Sequence, residues 1–493
     1  MSEPVNTFEA QQQGRPTGPL VQGYEVVIGF ETHAQLSTQS KIFSRAPTAF
    51  GAEPNTQACA VDLALPGTLP VMNKGAVARA IEFGLAVGSH IAPRSIFARK
   101  NYFYPDLPKG YQISQFEIPV VQGGSVEFFL GDEKKAVRLV RAHLEEDAGK
   151  SLHEDFIGQS GIDLNRAGTP LLEIVTEPDI RSSEEAVAYA KELHKIVTWI
   201  GICDGNMQEG SFRCDVNISV RKKGEKAFGV RTEIKNLNSF QFVTKAIEYE
   251  FLRHVEAIES GEPLVQETRR FDSTTGKTYS MRSKENATDY RYMPNPDLPV
   301  IEVTGEMLSS LKAEIPALPD ERKKRYMEEY GLTSYAAEQI IIDRETADYF
   351  EKAAAKTDYP VLVANMILTD IARLQQPDEP VIPISPENLA KIAQMAGEGR
   401  INSKTCRLLV QELWENNADP EQVVREKGLE QISDEGILTQ YAKEAISENQ
   451  KSVSDYLAGK SEAFQALVGQ VMKKTNGRGN PVKIQEILKR IIS

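Results

Sequence analysis

The sequence predicts an α+β protein in which a strand-rich first part precedes a helical second part. Apolar and polar residues alternate in several segments between residues 24 and 299, which is the period of half-buried strands. Closely spaced prolines, Pro294, Pro296 and Pro299, end this part. From residue 300 onwards helical spacing continues with few β-branched runs. With 493 residues the chain exceeds a single hydrophobic core, so we expect several domains.

Composition and charge indicate a soluble globular protein. The chain is 41% hydrophobic and 26% charged, and no apolar run approaches the roughly 18–20 residues of a membrane span. The four cysteines lie far apart without a pairing pattern, so we expect a reducing cytoplasm. A net charge of −13 argues against non-specific coating of nucleic acid. Residues 1–23 lack the apolar core of a signal peptide and are interpreted as a disordered lead.

The first informative strand covers residues 24–36. Its period of two places Glu31 and His33 on one face. An acidic residue and a histidine two positions apart are a weak motif, and a solvated pair is the commoner outcome.

The block from Arg99 to Tyr111 interleaves three cations, Arg99, Lys100 and Lys109, with three tyrosines. Such a block can stack on and pair with a nucleotide or an acceptor end. The alternative is a twisted aromatic strand followed by a loop.

The segment 136–150 is predicted to be a strand with two unlike faces. Val140, Ala142, Leu144 and Glu146 share the apolar face, whereas Glu145 falls on the polar one. This spacing nominates Glu146 as the inward carboxylate. A bulge near its end would exchange the two glutamates.

A second carboxylate lies at the centre of an apolar strand, Leu171 to Val175, within residues 161–179. Glu173 shares a face with Leu171, Val175 and Glu177. An ionised carboxylate in apolar surroundings is costly, so it neutralises or finds a cation. A wet sheet face or an ion pair with Arg166 remains the alternative.

A further strand places Arg213, Asp215 and Asn217 on one face, and Asn236 follows a short loop later. A polar, solvent-facing sheet is the alternative interpretation of this pattern.

The helical part is divided near residue 410, and its last segment is locally basic. Residues 465–493 contain six Lys or Arg and one Glu, against the acidic balance of the whole chain. The candidate RNA-binding residues are Lys473, Lys474, Arg478 and Lys483. A solvated basic helix face is the alternative.

Residues 161–179, GIDLNRAGTPLLEIVTEPD, and residues 99–114, RKNYFYPDLPKGYQIS, carry a resemblance. They resemble blocks of the B subunits of tRNA-dependent amidotransferases, and the similarity extends over nearly all of the chain after residue 23. The resemblance implies a catalytic cradle domain with an antiparallel sheet over 24–299. It also implies a helical domain over 300–410 and a helical tail domain that binds tRNA over 411–493.

The same resemblance implies a site. It brings together a set of metal ligands for Mg²⁺, or Mn²⁺ given the imidazole: Glu31, His33, Glu146 and Glu173. Three carboxylates would repel one another without such a cation, and the oxygen-rich set suits these ions better than zinc. The expected catalytic residues are Glu146, Glu173, Lys100 and Arg213. The expected nucleotide contacts are Arg213, Asp215, Asn217 and Asn236.

Many relatives of this family carry a zinc knuckle in the loop after the first strand. Here Ser44 and Asp62 stand where thiols would be needed, and a single cysteine, Cys59, remains. Because one cysteine cannot complete a four-ligand site, we expect no zinc.

The implied activity is a carbon–nitrogen ligase reaction with glutamine as amide donor. ATP phosphorylates the side-chain carboxylate of Glu-tRNA(Gln) or Asp-tRNA(Asn), and ammonia then displaces phosphate. The chain has no Walker loop and no nucleophile motif for glutamine, so the ammonia must come from another polypeptide. The resemblance implies that this polypeptide is an amidase (A) subunit and that a small C subunit completes a heterotrimer. A non-catalytic tRNA-binding scaffold and a ligase acting on a small molecule are the alternatives.

Overall fold

The computed structural model describes residues 23–131, 133–152, 158–283, 290–376 and 381–492. The predicted disordered lead, residues 1–23, lies outside this range except for Gly23. The chain divides into two compact units, Met1–Leu318 and Pro319–Ser493. The α+β prediction is confirmed, since strands dominate the first unit and helices form the second.

The first unit contains the strands and four helices of the described chain. The strands are β1 (Tyr24–Gln35), β2 (His90–Ile91), β3 (Arg94–Ser95), β4 (Ala98–Asn101), β5 (Tyr111–Ser114), β6 (Val121–Gln122), β7 (Ser125–Leu130), β8 (Glu133–Glu146), β9 (Lys150–Leu152), β10 (Gly161–Asp163), β11 (Pro170–Thr176), β12 (Phe212–Lys222), β13 (Thr232–Leu237), β14 (Glu267–Asp272), β15 (Lys277–Ser283), β16 (Met293–Pro294) and β17 (Ile301–Glu302). The helices are α1 (Lys74–Ala86), α2 (Ser183–Trp199), α3 (Phe240–Ser260) and α4 (Gly305–Glu314).

One large sheet organises the first unit. Its strand order within the described residues is β15-β14-β13-β12-β1-β11-β8-β6-β2, with β7 also paired to β8. Its pairs are antiparallel except β13 with β14, which run parallel, so the sheet is mixed rather than purely antiparallel. Strands β4, β5 and β16 form a separate small sheet.

Helices α2 and α3 cover one face of the large sheet. Ser182 and Ser239 cap their N-termini by accepting hydrogen bonds from the amides of Glu185 and Phe242. Phe30 of β1 packs on Tyr189 of α2 with ring centroids 5.2 Å apart, and both side chains are buried. Side chains alternate along a strand, so the neighbours of Phe30 in β1, such as Glu31, project from the opposite face of the sheet.

The first unit extends beyond the boundary predicted near residue 299. Ile301 of β17 pairs with Ser95 of β3, and α4 packs against α1. The prolines therefore do not mark the end of the unit: Pro294 lies within β16, β17 follows Pro299, and the unit continues to Leu318.

The second unit is helical throughout its described residues. Its helices are α5 (Pro319–Glu328), α6 (Ser334–Ile340), α7 (Arg344–Ala354), α8 (Pro360–Met366), a π-helix (Ile367–Ile371), α9 (Ala372–Leu374), α10 (Pro386–Gly397), α11 (Ser403–Asn416), α12 (Pro420–Glu426), α13 (Glu435–Glu448), α14 (Gln450–Leu457), α15 (Ser461–Lys474) and α16 (Pro481–Ile492).

The last four helices share one apolar core built around Leu438, Leu467 and Leu488. Helices α11 and α12 instead pack on α10, so the boundary predicted at 410/411 falls inside α11. Among the described residues, no helix has the length and apolarity needed to span a bilayer.

A buried ion-pair cluster fastens α3 to the sheet. Glu250 of α3 is fully buried, 3.1 Å from Arg269 of β14 and 2.7 Å from Arg253. It also accepts a hydrogen bond from Thr278 of β15. Burial by itself raises the pKa of Glu250, but hydrogen bonds from His254 and Arg253 outweigh burial and bring the pKa down to about 2.

Replacing Glu250 by Leu should lower the free energy of unfolding of the first unit by about 3 kcal/mol near neutral pH, because Arg253 and Arg269 lose this fully buried carboxylate and are left to share Glu267. The folded pKa is depressed, so this stabilisation is complete above the unfolded pKa and is lost as the pH falls from about 4.5 towards 2. Denaturant titration in a Trp414→Phe background isolates Trp199 fluorescence as a probe of this unit. The exposed neighbour Glu256→Leu is the control, and equal stability of the two variants would contradict the prediction.

Candidate active site and metal centre

The open face of the large sheet carries a row of ionisable side chains. His33 of β1 lies directly opposite Glu173 of β11 on one side and Arg213 of β12 on the other. Glu173 in turn lies opposite His143 of β8. Because directly paired residues project to the same face, the four side chains form one line across four strands.

Three side chains of this face converge. His33 Nε2 lies 3.4 Å from Glu145 Oε1 and 3.4 Å from Glu173 Oε2. One donor atom from each of the three residues lies within 4.8 Å of the others. Two carboxylate oxygens and one imidazole nitrogen form a donor set that fits Mg²⁺ or Mn²⁺ and is too poor in sulfur and nitrogen for a structural zinc site.

In this cluster the positive histidines and the negative glutamates stabilise one another's charged forms. Burial by itself lowers the pKa of both imidazoles, but Glu145 and Glu173 raise it to about 10 for His33 and to about 9 for His143. Burial likewise works against the ionised carboxylates, yet the two histidines hold the pKa of Glu173 well below its usual range and lower that of Glu145. The carboxylates are therefore ionised and able to bind a cation.

Glu146 does not join this cluster, and the prediction that it faces inward with Glu173 is wrong in its geometry. The register places His143 opposite Glu173, which puts Glu145 on the same face and Glu146 on the opposite one. Glu146 is buried there, where it pairs with Lys109 and accepts a hydrogen bond of 2.8 Å from the amide of Ile113.

The physical reason is that the site lies on the polar face of β8. The prediction took the apolar face to point into the site, whereas that face is packed into the core. A bulge lies earlier in the strand, where Val175 pairs with Arg141 and Thr176 with Leu139, so Val140 is passed over and exposed. The pairing from Arg141 to Glu146 is continuous, so this bulge does not exchange the two glutamates. Glu173 pairs with His143, and Glu145 lies two residues further along β8 on the same face. Knowledge of this strand pairing would therefore have selected His143 and Glu145.

Glu31 shares the face of the cluster but lies beside the three converging groups. Asn217 Nδ2 donates a hydrogen bond of 2.9 Å to Glu31 Oε1. Burial raises the pKa of Glu31, and the charges of Glu173 and Glu233 raise it further. The structure thus places Glu31 beside Asn217, two residues before His33 on the same face of β1.

Arg213 and Asp215 also lie on this face, as predicted, and each already has a partner. Arg213 Nη1 lies 2.9 Å from Asp147 Oδ2, and Lys235 Nζ lies 2.5 Å from Asp215 Oδ2. Asn236 is separate from them: it has a φ of 69° at the end of β13 and donates to the carbonyl of Phe271. This left-handed backbone turns its side chain to β14 and away from the row.

Lys100 of β4 is held close to the cluster by aromatic rings. Its Nζ lies 4.7 Å from the ring centroid of Tyr290 and 5.8 Å from that of Tyr102. Burial by itself lowers the pKa of Lys100, but the negative charge of Glu145 and further acidic neighbours outweigh burial and raise the pKa. The side chain of Lys100 is therefore charged near neutral pH at the edge of the site.

A pocket of about 270 Å³ opens on the same face, beyond Glu31. Its lining includes Val175, Pro178, Phe228 and Arg231. Of the predicted nucleotide contacts only Asn217 lines it.

The loop after β1 is held by a buried ion pair in place of thiols. Lys41 Nζ lies 3.4 Å from Asp62 Oδ2, and Ser44 donates to the same carboxylate. The amide of Cys59 donates to it too, at 2.9 Å. The expected lack of zinc stays a prediction.

The four basic residues predicted in the tail differ in their surroundings. Lys473 is exposed, whereas Lys474 pairs with Glu444 and Glu448 of α13. Arg478 and Lys483 donate to the backbone carbonyls of Gly428 and Ser433, which fixes the turn before α16.

Comparison with known proteins places this chain in a family. The model of the GatB/GatE catalytic domain matches residues 26–309, and that of the GatB domain matches residues 348–492.

Three curated relatives are each named as the B subunit of an aspartyl/glutamyl-tRNA(Asn/Gln) amidotransferase. Those of Variovorax paradoxus and Albidiferax ferrireducens are 59% and 58% identical over 473 and 472 residues. The relative from Burkholderia ambifaria is 55% identical over 484 residues. In each case the match covers 95% of this chain and 99% of the relative. The resemblance that the sequence motifs indicated is confirmed, and the chain belongs to the GatB/GatE family of amidotransferase B subunits.

Proposed function

We propose that this chain is the B subunit of a tRNA-dependent amidotransferase and that its sheet carries the phosphorylation site. The substrate is Glu-tRNA(Gln), Asp-tRNA(Asn) or both, and the product is the amidated aminoacyl-tRNA. The observation that carries the proposal is the convergence of His33, Glu145 and Glu173 beside the cation of Lys100. The family match supports the same reaction class.

His33, Glu145 and Glu173 would hold the magnesium ion. When bound, such an ion neutralises the triphosphate and stabilises the charge that develops on it during transfer. Glu31 and Asn217 lie next along the same face and extend the polar surface towards the pocket.

The chain's own cations bind and orient the reacting groups. Lys100 is charged and lies at the edge of the cluster, where it can bind a phosphate oxygen or the substrate carboxylate. Arg213 is fixed by Asp147, which leaves its guanidinium on the same row as His33. Phosphoryl transfer depends mainly on such positioning and on charge neutralisation.

The reaction balances in two steps. A carboxylate oxygen of the aminoacyl side chain bonds to the γ-phosphorus of ATP, and ADP leaves. Ammonia then bonds to the acyl carbon, phosphate leaves, and a proton is released to give the amide. The ammonia comes from glutamine through an amidase (A) subunit, and a small C subunit completes the heterotrimer in the cytoplasm.

The pocket beyond Glu31 is proposed to hold the nucleoside end of ATP. The exposed Phe228 ring and the neighbouring apolar wall provide a stacking surface for a base, and the pocket lies on the same sheet face as the cluster. The phosphates would then extend from the pocket towards His33.

Glu145→Gln should reduce ATP hydrolysis that depends on charged tRNA by more than about 100-fold, because it removes a metal-binding carboxylate. Glu146→Gln should retain most of the activity, because Glu146 lies on the opposite face with Lys109. Initial rates in the assembled complex test this contrast, with the partner's glutaminase rate as a control for assembly. Normal rates in Glu145→Gln would leave only a scaffold role for the chain.

Phe228→Ala should raise the KM for ATP about 5-fold or more, since stacking contributes about 1–3 kcal/mol per base. The side chain is 63% exposed, so the substitution should leave stability nearly unchanged. Phe50→Ala, which removes a ring that is 72% exposed and lies outside the pocket, is the matched control. An equal KM in both variants would place the nucleoside elsewhere.

Lys473→Ala should weaken tRNA binding and reduce the slope of log affinity against log salt by about one, because one phosphate contact is lost. Lys451→Ala serves as the control, because Lys451 is an exposed lysine of α14, another of the four helices that share this core. Affinities at several salt concentrations distinguish the two, and an unchanged slope for Lys473→Ala would make that lysine ordinary surface.

A further inference from the structure

We propose that His143 is a positioning residue for the metal centre, which orients Glu145 and Glu173 without itself binding the ion. The inference rests on the proposed function, since it takes these two carboxylates and His33 as the ligands. His143 did not appear among the residues that the sequence patterns selected.

The geometry places His143 behind the carboxylates. Its Nε2 lies 3.6 Å from Glu145 Oε2 and 3.5 Å from Glu173 Oε2. His33 instead contacts Oε1 of Glu145. The strand β11, which carries Glu173, runs between the strands of the two histidines. The two imidazoles therefore flank the carboxylates and use different oxygens of Glu145.

The two histidines also differ in exposure. The side chain of His33 is 17% exposed and that of His143 is 5% exposed. An incoming ion therefore reaches the cluster from the side of His33, while His143 closes the opposite side against water.

Arg141 bears on the orientation of the hydrogen of His143. Arg141 Nε lies 3.4 Å from His143 Nδ1. A guanidinium offers donors and no acceptor, so neutral His143 carries its hydrogen on Nε2, and charged His143 carries hydrogen on both nitrogens. In both forms Nε2–H is directed at the carboxylates.

Partners behind metal ligands fix the orientation of those ligands, and their loss typically costs about 10–100-fold in metal affinity. Without His143, the carboxylates of Glu145 and Glu173 would lose a fixed contact on the closed side and would rotate more freely. The effect should appear in the affinity for the ion and be overcome by a high concentration of it.

The test is titration of the full chain with Mn²⁺, with the free ion followed by electron paramagnetic resonance. His143→Leu should weaken binding about 10–100-fold. His143→Gln should recover most of the affinity, because its amide can donate from nearly the same position as Nε2. His33→Leu should abolish binding. His90→Leu, an exposed histidine of β2 in the same sheet, should bind as the unsubstituted chain does.

A kinetic measurement separates positioning from a general loss of structure. In the assembled complex, His143→Leu should raise the Mg²⁺ concentration needed for half-maximal ATP hydrolysis, with kcat at saturating Mg²⁺ nearly unchanged. Unchanged Mn²⁺ affinity in His143→Leu overturns the inference alone. Complete loss of binding, as in His33→Leu, would make His143 a ligand and also overturns it. Failure of the unsubstituted chain to bind Mn²⁺ would instead overturn the proposed metal site.

Discussion

The structure depends on two ionised carboxylates that lie side by side on adjacent strands, Glu145, which is buried, and Glu173, which is half-buried. Like charges at this distance repel, and burial strengthens the repulsion by excluding water. The sheet compensates by placing a histidine on each side of the pair, His33 on β1 and His143 on β8. A divalent ion bound to the same oxygens would neutralise the same negative charge. The ion would then take the place of the proton that His33 carries.

Strand register converts this local balance into a functional face. The pairing of β12, β1, β11 and β8 sets Arg213, His33, Glu173 and His143 in one line. Helices α2 and α3 bury the opposite face, so a slip of one residue in any of these strands would move charged groups into the core. The hydrophobic core therefore specifies the geometry of the site, although none of its side chains takes part in the chemistry.

Much of this face could be predicted from alternation alone. The period of two places Glu31 with His33, and Arg213 with Asp215 and Asn217, and the structure has these groupings. Alternation does not say which face of a strand meets which face of its neighbour. For β8 the apolar face was taken as the face that carries the site, and this selected Glu146 in place of Glu145. Asn236 was predicted to contact the nucleotide, but a positive φ near the end of β13 breaks the alternation and turns its side chain to β14. The helical character of the second part was predicted, but the boundary near residue 410 was not, because it falls inside α11. Prolines in turns mark the ends of single helices and not the limits of a group of helices that pack together.

The most direct test of the metal centre is anomalous diffraction from crystals of the full chain grown with Mn²⁺. We expect an anomalous peak within coordination distance of His33 Nε2 and of one carboxylate oxygen each of Glu145 and Glu173, with His143 outside that distance. A peak among Glu31, Asp215 and Glu233, or no peak on this face at all, would contradict the assignment.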